Sequence, residues 1–372
     1  MKPSVLMAGR TRYALPLSPS LATKFAAYGD ELDVHVLAAA RRGGAGSDSR
    51  FTLVPPLPVL DGPLFYLRFP LLVARELRRR DPDAVITQGA QETALALVGR
   101  RLARSRAKVI LDLHGDPGAP TRLYGSPLRR LLAPLADLLS RIAIRRADGV
   151  RTLSPFTSEL VRRLGREPAA EYPAFMDLEP FLAAPPAPLP EPPELLFVGV
   201  LERYKAIEIL AEAWRLAAPR IPEASLQLVG RGTLTAIPEA LVSEFPGRVR
   251  WTPELPTAGV VEAMDRATAL LLPSRSEGLP RIVVEALCRG RSVIGAHAGG
   301  IPDIVHDGVN GLVVPGEDPA ALAEAIVRLV SEVGLAARLG DGARTEADCW
   351  IASPSENARR TRELVERVVG RA

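Results

Sequence analysis

Six prolines fall within residues Leu182–Pro193, LAAPPAPLPEPP. Each fixes φ and removes a backbone donor, so neither a helix interior nor a sheet ladder can run through such a stretch. The chain is thereby cut into two parts joined by a stiff linker. On both sides of the cut, short apolar runs alternate with segments of helical periodicity. In the first part the spacing predicts strands at Val5–Ala8, Val34–Leu37, Ala84–Thr87, Lys108–Leu113 and Gly149–Leu153. Helices are predicted at Ser20–Tyr28, Leu71–Arg80, Glu92–Arg104 and Pro127–Arg146, with a further one starting near Ser154-Pro155.

After the prolines the alternation restarts. Strands are expected at Leu195–Val198, Ser225–Val229, Val249–Thr252, Ala269–Leu272, Ser292–Gly295 and Gly311–Val314. Helices are expected at Ala206–Ala218, Ala236–Glu244, Val260–Arg266, Pro319–Val333 and Ser355–Val369, with one more from Pro280. Such alternation implies α/β architecture with parallel, doubly wound sheets. The expected organisation is a first Rossmann-like domain over 1–181, the linker over 182–193, a second Rossmann-like domain over 194–352, and a helix over 353–372 that packs back on the first domain.

With 372 residues, 47% hydrophobic and 24% charged, the chain has the composition of an ordinary globular protein. No apolar run reaches the roughly 18 residues that a membrane-spanning helix needs. The start, MKPSVLMAGR, breaks at Gly9-Arg10 and reads as a first strand and not as a signal peptide. Cys288 and Cys349 are the only cysteines, which suggests no disulfide framework, fits a reducing cytoplasm and offers no zinc cluster.

Net charge is +4, but residues 1–170 carry 27 Lys+Arg against 15 Asp+Glu, a net of +12. That balance suits an anionic partner or surface, although 43 of the 47 basic residues are Arg and the bias also fits genomic composition. Within Leu128–Ile144, Leu131, Leu132, Leu135, Leu138, Leu139 and Ile142 interleave with Arg129, Arg130 and Arg141. Either the leucines pack on the sheet beneath a solvated basic face, or the segment lies in an anionic membrane interface. On the second reading the protein is peripheral to the inner face of the cell membrane. The pattern calls for no nucleic-acid partner.

The chemistry concentrates in ATALLLPSRSEGLPRIVVEALCR, Ala267–Arg289. A strand is followed by a polar loop, then by Pro280 as the first residue of a helix and Gly290 at its C-terminal end. Glu277 in the loop and Glu285 in the helix bracket the turn. Free N–H groups at a helix start favour phosphate, and carboxylates accept hydrogen bonds from vicinal hydroxyls. A sugar nucleotide satisfies both. The segment Ser276-Glu277-Gly278-Leu279-Pro280 through Glu285 resembles the E-x7-E signature of retaining glycosyltransferase family 4, which has the GT-B fold, two Rossmann-like domains facing across a cleft.

Other pieces resemble the family in order. Phe197-Val198-Gly199 followed by Lys205 matches its strand–glycine–basic segment, with Val200 where the family usually carries Arg and Arg203 as the substitute. Val229-Gly230-Arg231-Gly232 matches a strand-end glycine turn, Gly299-Gly300-Ile301-Pro302-Asp303 the run after the second Glu, and His114-Gly115-Asp116 an HGD-type segment. Gly9-Arg10-Thr11-Arg12-Tyr13 departs from the family's glycine-rich acceptor loop, so no acceptor contact carries over.

The resemblance implies a metal-independent hexosyltransferase-like enzyme of polysaccharide or glycolipid biosynthesis. It would take a nucleotide diphosphate sugar as co-substrate, with no resident cofactor, and an unknown glycan, lipid-linked or small-molecule acceptor. Glu277, His114, Lys205 and Arg203 would be catalytic. Glu285, Gly199, Gly278, Leu279, Pro280 and Gly230 would hold the donor. The alternatives are a catalytically inactive GT-B module that binds nucleotide or scaffolds a complex, and a sugar-nucleotide epimerase.

Overall fold

The computed structural model describes residues 1–41, 48–57, 61–119, 123, 131 and 133–370. It contains two compact units, each built on one parallel sheet. The first draws on Met1–Gly118, Leu131–Phe175 and the chain from Ala352 onward, the second mainly on Met176–Ile351.

In the first unit the strands are β1 (Ser4–Tyr13), β2 (Asp33–Ala40), β3 (Phe51–Val54), β4 (Ala84–Thr87), β5 (Lys108–Leu113), β6 (Gly149–Thr152) and β7 (Ala170–Glu171). They lie in the order β3-β2-β1-β4-β5-β6-β7. The second unit has β8 (Glu194–Val198), β9 (Ser225–Val229), β10 (Val249–Thr252), β11 (Ala269–Leu272), β12 (Ser292–Ala296) and β13 (Gly311–Val314), in the order β10-β9-β8-β11-β12-β13. Both sheets are doubly wound, as the alternation predicts. In each, the winding direction reverses beside the first strand, between β1 and β4 and between β8 and β11.

Both faces of each sheet are buried, which is why the strands read as continuous apolar runs. Leu195 and Phe197 of β8 pack with Leu210 and Trp214 on one side, while Leu196 between them packs with Val283 and Leu287 on the other. In the first unit, Val5, Val36, Ile86 and Ile110 are covered by Phe25 and Tyr28 together with Ala358, Leu364 and Val365 of the helix Pro354–Val369. The opposite face, with Leu6, Leu37, Val85 and Val109, is covered by Phe65, Phe69, Val73 and Leu77.

The proline-rich stretch belongs to the second unit, where two buried arginines supply donors to its carbonyls. Arg289 donates to the carbonyls of Phe181, Ala184 and Pro185 and pairs with Asp265, and Arg291 donates to that of Ala187.

Four local expectations are corrected. Strands β3 and β7 are absent from the sequence reading because they are only four and two residues long and no residue of either is fully buried. The helix expected at Leu71–Arg80 spans Asp61–Arg80 and carries Pro70 inside it, since the face of Phe65, Phe69 and Val73 continues through the proline. An unforeseen helix, Leu335–Ala347, is hidden by glycines at which a Cβ would lie 2.6 Å from the Gly290 carbonyl oxygen (Gly340) and 2.0 Å from that of Val309 (Gly342). Pro280 caps its helix and does not begin it: with ψ at 97° it is still extended, and the helix is Arg281–Cys288.

Of the predicted helix Pro127–Arg146, the part described as helix is Ala133–Arg146; Leu128, Arg129, Arg130 and Leu132 lie outside the described residues. Leu139, Ala143 and Ile144 face inward. Leu131, Leu135, Leu138 and Ile142 do not: they are 76%, 54%, 53% and 41% exposed. Leu67 and Leu71 of the helix Asp61–Arg80 are likewise exposed. Among the described residues no helix is long and apolar enough to cross a membrane.

Candidate functional site

Ligands of open α/β sheets bind beyond the carboxyl ends of the strands where the winding reverses. In the second unit that position is flanked by the segments following β8 and β11. Four glycines let these segments pack against those following β9 and β12. The Gly199 N–H donates to the Val229 carbonyl at 2.9 Å. Gly230 has φ +147°, and a Cβ there would stand 1.8 Å from the Gly199 carbonyl oxygen. Gly299, at φ +56°, leaves no room for a Cβ against the Glu277 backbone, and the Gly300 N–H donates to the Glu277 carbonyl at 2.9 Å. The loop bearing Glu277 is therefore clamped by backbone on its far side.

Arg275, which the sequence reading passed over, ties the two segments to each other. Its N–H donates to the Tyr204 carbonyl at 2.7 Å, and its guanidinium pairs with Glu208 at 2.7 Å, with Glu317, and with the Arg203 carbonyl. No spacing rule connects residues so far apart in the chain.

Within this frame Lys205 and Glu277 meet. Lys205 closes the 3-10 turn Arg203–Lys205, and its Nζ donates to Glu277 Oε1 at 2.7 Å. Their side chains are only 10% and 11% exposed, so each charge depends on the other for compensation. Arg203, two residues earlier, is exposed. Gly278 and Leu279 follow in the loop, half-buried, with Leu279 against the core.

Glu285 is buried on the following helix. Arg281 Nε donates to its Oε1 at 2.5 Å, and Arg281 Nη2 reaches the Asp177 carbonyl at 3.1 Å. Burial pushes the Glu285 carboxyl above its ordinary range, against the pull of Arg281. A carboxylate held at that cost has a partner to gain from a ligand hydroxyl.

The structure thus brings together Lys205, Glu277, Gly199 and Gly230, with Glu285 on the adjoining helix. His114 belongs to the first unit. It follows β5, is partly exposed, and its Nε2 lies 2.9 Å from Asp112 Oδ2. Asp112 is also paired through Oδ1 to the buried Arg151 at 2.8 Å. This Asp112–Arg151 pair carries no signal in the sequence, since either residue alone reads as part of a strand. Among the described residues no group of three or more His, Cys, Asp or Glu is placed to hold a metal ion.

Comparison with known proteins gives matches on both units. Residues 192–332 match the family described as glycosyl transferases group 1, and residues 18–172 match the glycosyl transferase 4-like domain. Among curated proteins, a D-inositol 3-phosphate glycosyltransferase of Streptomyces bingchenggensis is 34% identical over 215 residues, covering 51% of this chain and 46% of that protein. A protein of the same name from Frankia alni is 34% identical over 160 residues, covering 40% and 39%. The chain spans less than half the length of these relatives.

Among solved structures, sucrose-phosphate synthase from Thermosynechococcus elongatus superposes with TM-score 0.77 at 19% identity, over 100% of both chains. HepE of Anabaena, in complex with UDP and glucose, superposes with TM-score 0.68 at 17% identity, over 97% of this chain and 99% of that one. These likenesses give the fold.

Proposed function

This chain belongs to the GT4-type glycosyltransferases of GT-B fold, and from that membership we propose that it moves a sugar from a nucleoside diphosphate sugar to an acceptor hydroxyl with retention at the anomeric carbon. The observation that carries the reading is the buried Lys205–Glu277 pair at 2.7 Å, beside the winding reversal of the second sheet. Without ligand the two charges neutralise each other. A donor offers each a replacement partner, its diphosphate for the ammonium and its sugar hydroxyls for the carboxylate. The exchange keeps both groups satisfied throughout, which a lone charge at this depth could not do.

In the reaction the bond from the anomeric carbon to the diphosphate oxygen breaks and the bond to the acceptor oxygen forms. The departing phosphate oxygen takes the acceptor's proton on the same face. Lys205, the exposed Arg203 and the N–H groups opening the helix Arg281–Cys288 stabilise the negative charge on the leaving diphosphate, which is greatest at that moment. Glu277 orients the donor sugar and Glu285 the nucleotide ribose. Gly199, Gly230 and Gly278 let backbone approach the nucleotide, with Leu279 and Pro280 shaping its seat. For His114 the family likeness gives a role beside the donor sugar. No divalent ion is needed in this scheme.

The test is incubation with UDP-, GDP- and ADP-sugars and an alcohol acceptor, with the anomeric configuration of any product read by NMR. A retained configuration, lost in Glu277→Gln, is expected. An inverted product, an epimerised nucleotide sugar, or nucleotide binding with neither transfer nor slow hydrolysis would replace the reading by one of the alternatives.

We also infer that the first domain rests on an anionic membrane. The support is the exposed row Leu131, Leu135, Leu138 and Ile142, spaced one helical turn apart and flanked by exposed Arg141, Arg145 and Arg146. A solvated face would carry the arginines without the leucines. Each basic side chain near an anionic leaflet contributes about 1 kcal/mol, enough in combination for salt-sensitive attachment. Flotation with anionic liposomes at low salt, abolished in Leu135→Ser/Leu138→Ser, is the expected result. Equal flotation of that variant would refute it.

A further inference from the structure

The first unit contains a pocket that the transfer reading leaves unused. It lies on the sheet face covered by the helices Pro19–Glu31 and Pro354–Val369, and it is partly open to solvent. Its walls are largely aromatic and aliphatic, with Tyr13, Phe25 and Tyr28 on one side. Its polar groups are unevenly matched. Asp112 has spent both oxygens, one on Arg151 and one on His114. Arg151 donates to the carbonyls of Tyr172 and Pro173 and stacks on the Tyr172 ring, yet its buried Nε has no hydrogen-bond partner.

Lys24 also lines the pocket. Its ammonium makes no hydrogen bond or ion pair among the described residues, and its Nζ lies 5.9 and 5.7 Å from the ring centroids of Phe25 and Tyr28, within the electrostatic reach of Asp112 and Arg151. The hydroxyl of Tyr13 likewise makes no hydrogen bond among the described residues. Burial lowers the pKa of Lys24, the mark of a cation short of a counter-ion. Two cations therefore face one carboxylate that is already doubly engaged. What is missing is an anion with several acceptor oxygens.

We propose that this pocket binds a small phosphomonoester, its phosphate held by Lys24 Nζ and the Tyr13 hydroxyl in front of the Arg151 guanidinium, its organic part against Phe25 and Tyr28. A phosphate offers three acceptor oxygens and close to two charges, which answers the unpaired donors better than a single carboxylate. The phosphomonoester has two sources: an acceptor alcohol that carries the phosphate, or a phosphorylated effector that is never glycosylated.

Calorimetric titration of the full chain with phenyl phosphate, and with benzyl alcohol as the neutral control, tests the pocket. Phenyl phosphate is expected to bind and benzyl alcohol not to. Lys24→Gln is expected to weaken phenyl phosphate binding at least tenfold and Tyr13→Phe several-fold. Binding of UDP or another nucleoside diphosphate by the same variants serves as the control for folding. Absence of phenyl phosphate binding, equal binding of benzyl alcohol, or affinity unchanged in both variants would overturn the proposal. Glycerol 3-phosphate against glycerol as sugar acceptor then distinguishes the sources. Preferential glycosylation of the phosphate ester identifies an acceptor, and binding without glycosylation identifies an effector. The binding arm does not depend on the transfer reaction, so failure of one is separable from failure of the other.

Discussion

Replacing Lys205 by Met leaves Glu277 as a nearly buried carboxylate without its partner. At 10% and 11% side-chain exposure the pair is well inside the range where loss of one member costs about 3–5 kcal/mol, far above the 1 kcal/mol or less of an exposed pair. For a domain of this size that is a fall in Tm of roughly 10 °C. Glu277→Gln should cost comparably, because the ammonium is then stranded. The double variant Lys205→Met/Glu277→Gln strands neither charge and should be more stable than the sum of the singles predicts, by about 2–3 kcal/mol. Thermal and urea unfolding of the four proteins measure this directly.

Turnover should not follow stability. The double variant has lost both the counter-charge for the leaving diphosphate and the carboxylate for the sugar, so it should be no more active than either single, each down about 100-fold or more in kcat/KM. Two results would refute the reasoning. Strict additivity of the stability losses would mean the charges are not coupled, and recovery of activity with stability would mean the pair serves the fold alone.

Three further outcomes follow from the same geometry. Gly230→Ala places a methyl 1.8 Å from the Gly199 carbonyl oxygen at φ +147°, and should lower stability by about 3 kcal/mol or more, read as a large drop in Tm or as insoluble expression. Glu285→Gln should weaken donor binding by about 1.5–3 kcal/mol in a calorimetric titration. It should also change the pH dependence of stability: burial raises the Glu285 pKa, so the folded state holds that proton more tightly and the wild type loses stability as pH rises from the ordinary carboxylate range through the raised value. The glutamine variant escapes this loss, and its Tm relative to wild type should climb across that window and then level off. Finally, if Lys205 and the helix start alone carry the diphosphate charge, sugar transfer should persist in excess EDTA; loss of activity restored by Mg²⁺ or Mn²⁺ would show that a cation shares the task.

Much of the fold is legible because parallel strands buried on both faces leave a distinctive trace. Ala84–Thr87 and Ala269–Leu272 are short, largely apolar runs bounded by polar or proline residues. The signal fails where burial is partial, as in β3 and β7 at the sheet edges. It also fails where packing needs small residues, as in Leu335–Ala347, whose Gly340 and Gly342 read locally as helix breakers. The site divides in the same way. Glu277, Glu285 and Lys205 stand out by local motif, whereas the 2.7 Å bond between Lys205 and Glu277, the Arg275 tie and the Asp112–Arg151 pair join residues 39 to 72 positions apart. Such pairings arise from strand order, and strand order is not written in any window of sequence.

The helix Pro354–Val369 has a consequence for how the protein is made. Ala358, Leu364 and Val365 complete one face of the first sheet, although they are synthesised only after the whole of the second domain. While the ribosome works through the second domain, Val5, Val36, Ile86 and Ile110 wait beneath an unfinished cover. Of the two domains the one begun earlier is therefore finished later, and a nascent chain stalled before residue 354 presents an open apolar sheet to chaperones even though the second domain's own sheet is already complete.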